Sequence, residues 1–199
     1  MMTNMTMMSS TTSNSTDKLP DFVHIFSVEE HAYWKPKLLE SIEYMIKINN
    51  IQLNEKGYYY DFNIPNVPRT YHQLMDNILI DYTNELCERY GLRLAHNDDI
   101  NKYWFQQYFK GSDFNWHGHD QHWACVYYVE LPDPTEATEF LNFRQFDIKE
   151  GDVIFFPTFL VHRSPMIKSD FRKTIIATNF KFIVDRELIQ NYGEQHFRN

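Results

Sequence analysis

Residues 116–131 read Trp116-His117-Gly118-His119-Asp120-Gln121-His122-Trp123 and continue as Ala124-Cys125-Val126-Tyr127-Tyr128-Val129-Glu130-Leu131. Three of the nine histidines stand at the entrance to a run of aromatic and β-branched residues, the composition of a strand. In an extended chain residues i and i+2 share a face, so His117 and His119 offer two imidazoles to one ion while His122 points the other way. A solvated strand face, or packing among Trp116 and Trp123, accounts for such a pair equally well. His162, 43 residues beyond His119, adds a third imidazole. It follows Gly151-Asp152-Val153-Ile154-Phe155-Phe156-Pro157: a turn, an apolar strand and a Pro stop. An antiparallel barrel brings distant strands to one mouth in this way, and three protein ligands on one side of an ion leave positions open for other groups.

Outward from this stretch, period-two segments extend over Tyr103–Phe109, Trp123–Leu131, Phe140–Phe146, Val153–Phe156 and Thr174–Val184. Turn-formers part them at Lys110-Gly111-Ser112-Asp113, Pro132-Asp133-Pro134, Glu150-Gly151-Asp152 and Lys168-Ser169-Asp170. That rhythm predicts a sandwich, jelly roll or barrel. The N-terminal half has helical period instead. Trp34, Leu38, Ile42, Met45 and Ile46 predict a helix from Ser27 to near Asn49, with Pro36 near its start. Tyr71, Leu74, Ile78, Tyr82, Leu86 and Tyr90 predict a second, capped by Gly91. Between them lies a loop holding one short strand at Tyr58-Tyr59-Tyr60. The expected organisation is a disordered tail over 1–17 and a single domain over 18–199. Within that domain, 18–100 give helical support, 101–183 the β core and 184–199 a C-terminal helix.

Composition bounds the function. The chain of 199 residues carries a net charge of −8, which disfavours nonspecific binding to nucleic acid or anionic membrane. Aromatic residues make up 17%, enough for a substantial core. Two cysteines, Cys87 and Cys125, form no disulfide framework and suit a reducing, cytoplasmic setting. The tail of Met, Thr, Ser and Asn has neither the cationic start nor the apolar run of a secretory signal. No segment reaches the roughly 18 uninterrupted apolar residues of a membrane span.

Taken together, Asn115–His119, Val126–Leu131, Gly151–Pro157, His162-Arg163-Ser164-Pro165 and Arg172–Phe180 resemble the iron(II)- and 2-oxoglutarate-dependent dioxygenases, particularly short bacterial and phage-type members. The likeness spans roughly residues 101–183. It implies a double-stranded β-helix, or jelly roll, flanked by the N-terminal helices. It also implies an iron(II) site, with 2-oxoglutarate and O₂ as co-substrates, and hydroxylation with release of succinate and CO₂. One departure stands out: relatives have His-x-Asp or His-x-Glu, whereas this chain has His117-Gly118-His119 followed by Asp120. Either His117, His119 and His162 form an all-nitrogen site, which strand parity favours, or a bulge swings Asp120 in. The resemblance also implies a basic residue for the distal carboxylate of 2-oxoglutarate, here Lys173 or Arg172. If Asn179 faces inward, alternation puts Lys173 inside and Arg172 outside. Tyr108 or Tyr128 are candidates for a second hydrogen bond to that carboxylate, although core packing explains both. Two other readings stay open: a three-histidine cupin-type dioxygenase without 2-oxoglutarate, and a non-catalytic jelly-roll binding module.

Overall fold

A computed structural model describes residues 20–62, 64, 69–94, 103–184, 186 and 190. The expected tail over 1–17 lies outside them, as does nearly all of the expected C-terminal helix. In chain order the elements are β1 (His24–Ser27), α1 (His31–Ile48), β2 (Tyr58–Tyr60), α2 (His72–Tyr90), β3 (Leu92–Leu94), β4 (Tyr103–Tyr108), β5 (Phe114–His117) and β6 (Trp123–Glu130). A 3₁₀ turn (Pro134–Glu136) then precedes β7 (Glu139–Phe140), β8 (Asp152–Pro157), β9 (His162–Ser164), β10 (Lys173–Phe180) and β11 (Phe182–Val184).

Six strands form an antiparallel major sheet in the order β1-β8-β6-β10-β4-β2, and β5-β9-β7 form a minor sheet. The central strands alternate between two buried faces. One face carries Phe105, Cys125, Tyr127, Phe155 and Ile176, and packs on Leu38, Ile42 and Met45 of α1 and Met75, Ile78 and Leu86 of α2. The opposite face carries Trp104, Tyr108, Val126, Tyr128, Phe156, Ile175 and Ala177, and closes over Phe140 of the minor sheet. Burial on both sides is why Val126–Val129 and Val153–Phe156 read as continuous apolar runs. Each such side chain contributes roughly 1.5–3 kcal/mol of transfer free energy. The two sheets together make the double-stranded β-helix, with the helices on the outer face of the major sheet.

The structure revises several expected boundaries. The helix expected from Ser27 begins at His31, because Ser27 belongs to β1, where it pairs with Asp152 and donates to its Oδ1 at 2.7 Å. Together with β2, this strand means that the N-terminal part supplies both edges of the major sheet as well as the helical layer. The strand expected over Phe140–Phe146 stops at Phe140. Asn142 adopts φ 66°, which ends the extended run, and the Phe146 ring folds back to 5.1 Å from that of Phe140. The single strand expected over Thr174–Val184 divides at Lys181 into β10 and β11, the latter pairing with β3. Gly91 caps α2 as expected, at φ 61° and ψ 42°.

Candidate metal centre

His117 ends β5 and stands directly opposite His162 at the start of β9, so sheet register sets the two imidazoles side by side, their ring centroids 4.2 Å apart. His119 lies just past β5. Its backbone N–H donates to Thr158 O, while Thr158 N–H donates to His122 O and the Thr158 hydroxyl to Gln121 O. The 118–122 loop therefore wraps the end of β8. A Cβ on Gly118 would lie 3.3 Å from Thr158 O, a tight contact that glycine avoids. The wrap turns the His119 ring to within 5.0 Å of His117 and 5.2 Å of His162. Donor nitrogens of the three residues lie within 4.8 Å of one another.

The register irregularity in β5 falls between Phe114 and His117, ahead of the histidines. Asp120 is exposed and stands outside the group, and His122 is exposed too. Among the described residues the donor set is thus all imidazole.

Each imidazole is prepared as a neutral ligand. The His117 Nδ1–H faces Asn115 O at 2.9 Å and the His162 Nδ1–H faces Leu160 O at 2.8 Å, which leaves each Nε2 lone pair for a metal. Burial lowers the pKa of His117, takes His119 down to about 4, with His117 beside it adding to the shift, and takes His162 down to about 3. All three are therefore unprotonated at neutral pH, as metal binding requires. Imidazole donors suit iron(II), zinc, copper and nickel alike. A set of three nitrogens opening on a cavity fits a catalytic ion better than a closed structural one.

That cavity, about 390 Å³, occupies the interior between the two sheets. Tyr58, Tyr60, Phe62, Trp104 and Phe114 form an aromatic wall, and Gln106 and Asn179 add carboxamides. Asn179 Oδ1 is buried with no hydrogen-bond partner among the described residues. Trp104 thus borders both core and cavity, whereas Trp116 is exposed beneath the Arg163 guanidinium and Trp123 packs toward the helices.

Lys173 is fully buried inside the barrel, where its Nζ donates to Ser164 Oγ at 2.8 Å and to Glu136 O at 2.5 Å. Burial lowers its pKa to about 7, against the opposing pull of Glu136 and Glu139. Arg172, the alternative, points outward and is held by Glu130 and Glu43. Tyr108 is buried opposite Lys173 in the sheet register, its ring 5.2 Å from the ammonium, and burial raises its hydroxyl pKa well above the ordinary value. The Tyr128 hydroxyl instead donates to Thr138 Oγ1 and accepts from Thr138 N–H, so it fastens the segment before β7. Ser164, Thr138 and Glu136 were not singled out by the sequence. Ser164 had a signal, since it lies two residues past His162 and so shares its face of β9, while Thr138 and Glu136 had none.

The fold is a jelly-roll barrel with three imidazoles at one end of its interior, a donor set able to hold one ion and leave positions open. More narrowly, the fold is that of the 2-oxoglutarate-dependent iron(II) oxygenases. A prolyl-4-hydroxylase from Pseudomonas putida superposes with TM-score 0.52 at 11% identity, over 80% of this chain and 92% of that one. HygX from Streptomyces hygroscopicus, solved with nickel and 2-oxoglutarate bound, gives 0.56 at 11% identity, covering 80% and 82% of the two chains. The carbocyclase SnoK from nogalamycin biosynthesis gives 0.59 at 8% identity, covering 80% and 79%. No family model and no curated protein matches the sequence.

Proposed function

We propose that this protein is an iron(II)- and 2-oxoglutarate-dependent oxygenase that hydroxylates a C–H bond of a peptidyl residue or small molecule, releasing succinate and CO₂. The observation that carries the reading is the pairing of two features within one barrel interior: the neutral group His117, His119 and His162, and the buried ammonium of Lys173. A buried ammonium is costly without opposite charge, and among the described residues Lys173 has no carboxylate in ion-pair contact, so it can meet one from a ligand. The three histidines would hold the ion through one nitrogen each, with Asn115 O and Leu160 O fixing the tautomers of His117 and His162. Iron(II) and 2-oxoglutarate, when bound, supply activation of dioxygen and the two electrons that hydroxylation consumes.

This chain's own residues do the rest. Lys173, with Ser164 beside it, pairs with the distal carboxylate and so orients the 2-oxoacid end toward the imidazoles. Tyr108 closes the space next to that pair. The aromatic wall keeps water from the reacting end. The all-nitrogen donor set favours one second reading, a three-histidine dioxygenase that does not use 2-oxoglutarate. Anaerobic addition of iron(II) and then 2-oxoglutarate separates the two. The proposed activity gives a visible charge-transfer band that depends on both, followed in air by succinate formation. A band absent with 2-oxoglutarate, together with oxygen uptake that ignores it, would leave the second reading standing.

A further inference from the structure

We propose that Glu136 is the positioning residue for the co-substrate lysine: through its main chain and its side chain it fixes the Lys173 ammonium, and its carboxylate is that ammonium's resident counter-charge. The inference rests on the reading of Lys173 as the 2-oxoglutarate anchor. Glu136 closes the 3₁₀ turn that Asp133 caps, Asp133 Oδ1 accepting from Thr135 N–H, and only 2% of its surface is exposed. Its carbonyl oxygen accepts from Lys173 Nζ. Its Oε1 accepts from the backbone N–H groups of both Lys168 and Ser169 at 2.7 Å, so the same residue grips the turn that leads into β10. Lys173 is thereby held twice, at its ammonium and through the chain that delivers it.

The Glu136 carboxylate also acts apart from this clamp. Glu136 Oε2 is shut away from water with no hydrogen-bond partner among the described residues. A buried carboxylate satisfied on one oxygen alone is costly, and the buried ammonium near it is equally in need of an opposite charge. From β9 Lys173 meets the Ser164 hydroxyl, and from β4 the Tyr108 ring, whose hydroxyl stays neutral at physiological pH. Glu139 of β7 also favours the charged lysine, but its carboxylate is already met by Arg163 at 2.7 Å. Among the described residues no cation, Lys173 included, stands in an ion pair with the Glu136 carboxylate; it acts on Lys173 through space, favouring the charged lysine ahead of Glu139. Because Lys173 must be protonated to hold a carboxylate, Glu136 sets the pH up to which the pocket accepts 2-oxoglutarate.

The test is 2-oxoglutarate binding to the manganese(II)-loaded full chain by calorimetry between pH 6 and pH 9.5, with manganese affinity measured alongside. Glu136→Gln keeps an acceptor for the Lys168 and Ser169 amides and removes only the charge. It should move the pH at which affinity begins to fall downward by about half a unit or more, an at least roughly three-fold weaker affinity on the alkaline side. At the acid limit affinity should be equal or tighter, since one anion no longer repels another, and manganese binding should stay unchanged. Glu136→Asp keeps the charge but shortens the clamp, so its midpoint should match the wild type while its limiting affinity falls. A wild-type midpoint in Glu136→Gln overturns the counter-charge role. Should that variant not fold, a shifted midpoint in Glu136→Asp overturns it instead. If Lys173→Met binds 2-oxoglutarate like the wild type, the anchor reading fails and this inference falls with it.

Discussion

Asp61 and Arg69 bracket the chain that leads from β2 to α2, and both side chains are wholly buried. Arg69 Nε donates to Asp61 Oδ2 at 2.8 Å, and Arg69 Nη2 donates to Asp61 O at 2.5 Å and to Ile64 O at 3.3 Å. The Tyr71 hydroxyl donates to the same Oδ2, and Phe105 N–H of β4 donates to Oδ1. Replacing Arg69 with Met keeps most of the volume, strips the cation and strands the carboxylate. Breaking a buried pair from one side costs roughly 3–5 kcal/mol. At about 2–4 °C per kcal/mol for a chain of this length, the melting temperature of Arg69→Met should fall by about 10 °C. Burial already raises the Asp61 pKa against the pull of Tyr71 and Arg69, and losing the cation raises it further. A carboxyl whose folded pKa lies above its unfolded value stabilises the fold at low pH and loses that contribution as pH rises through the folded value. The defect should therefore be smaller at pH 5 than at pH 8. Asp61→Asn in the same chain removes the stranded charge and keeps an acceptor for Phe105 N–H, so the double variant should be more stable than Arg69→Met alone. Urea melts at both pH values measure the loss, its pH dependence and the double variant, and a thermal melt measures the shift in melting temperature. A loss below about 1 kcal/mol, or a double variant that sums the single losses, would refute the claim that the pair holds this segment as a unit. Phe62, one residue from Asp61, packs its ring 5.0 Å from that of Trp104 in the cavity wall, so the same variants should perturb tryptophan fluorescence.

Three further outcomes follow from the site and the core. His117→Ala and His162→Ala should each abolish tight binding of manganese(II) or iron(II), whereas Asp120→Ala should bind like the wild type; calorimetric titration decides, and loss in Asp120→Ala would restore a carboxylate ligand. The stability of the wild type should rise with pH relative to Lys173→Met. Between the folded pKa of about 7 and the ordinary lysine value of 10.5 the unfolded chain carries a proton that the folded chain does not, a difference worth roughly 3 kcal/mol between pH 7 and pH 9.5; a pH-independent gap in urea midpoints would contradict it. Cys125 is fully buried with its thiol pKa pushed far up, while Cys87 is half-buried. A thiol reagent should modify Cys87 in the native protein and reach Cys125 only after denaturant.

What the sequence settled by itself was local or periodic. Period-two runs between turn-formers gave β6, β8 and β10, and the 3.6-residue pattern with Gly91 gave α2, because side-chain alternation and a left-handed cap are properties of short stretches of chain. The inward face of Lys173 was legible for the same reason: alternation from Asn179 reaches it in steps of two. The tertiary structure decided what depends on distant partners. A three-residue strand such as β9 carries too little pattern to read alone, and exists because β5 and β7 pair with it. Whether His119 or Asp120 turns toward His162 rested on the Thr158 backbone holding the 118–122 loop, and Thr158 lies 39 residues beyond His119 in the sequence. Glu136 is one more acidic residue in a polar turn until the fold lays its carboxylate against the amides of Lys168 and Ser169 and its carbonyl against Lys173. Hydrogen bonds and charges across a barrel interior act through space, and adjacency in space is the one property that the order of residues does not carry.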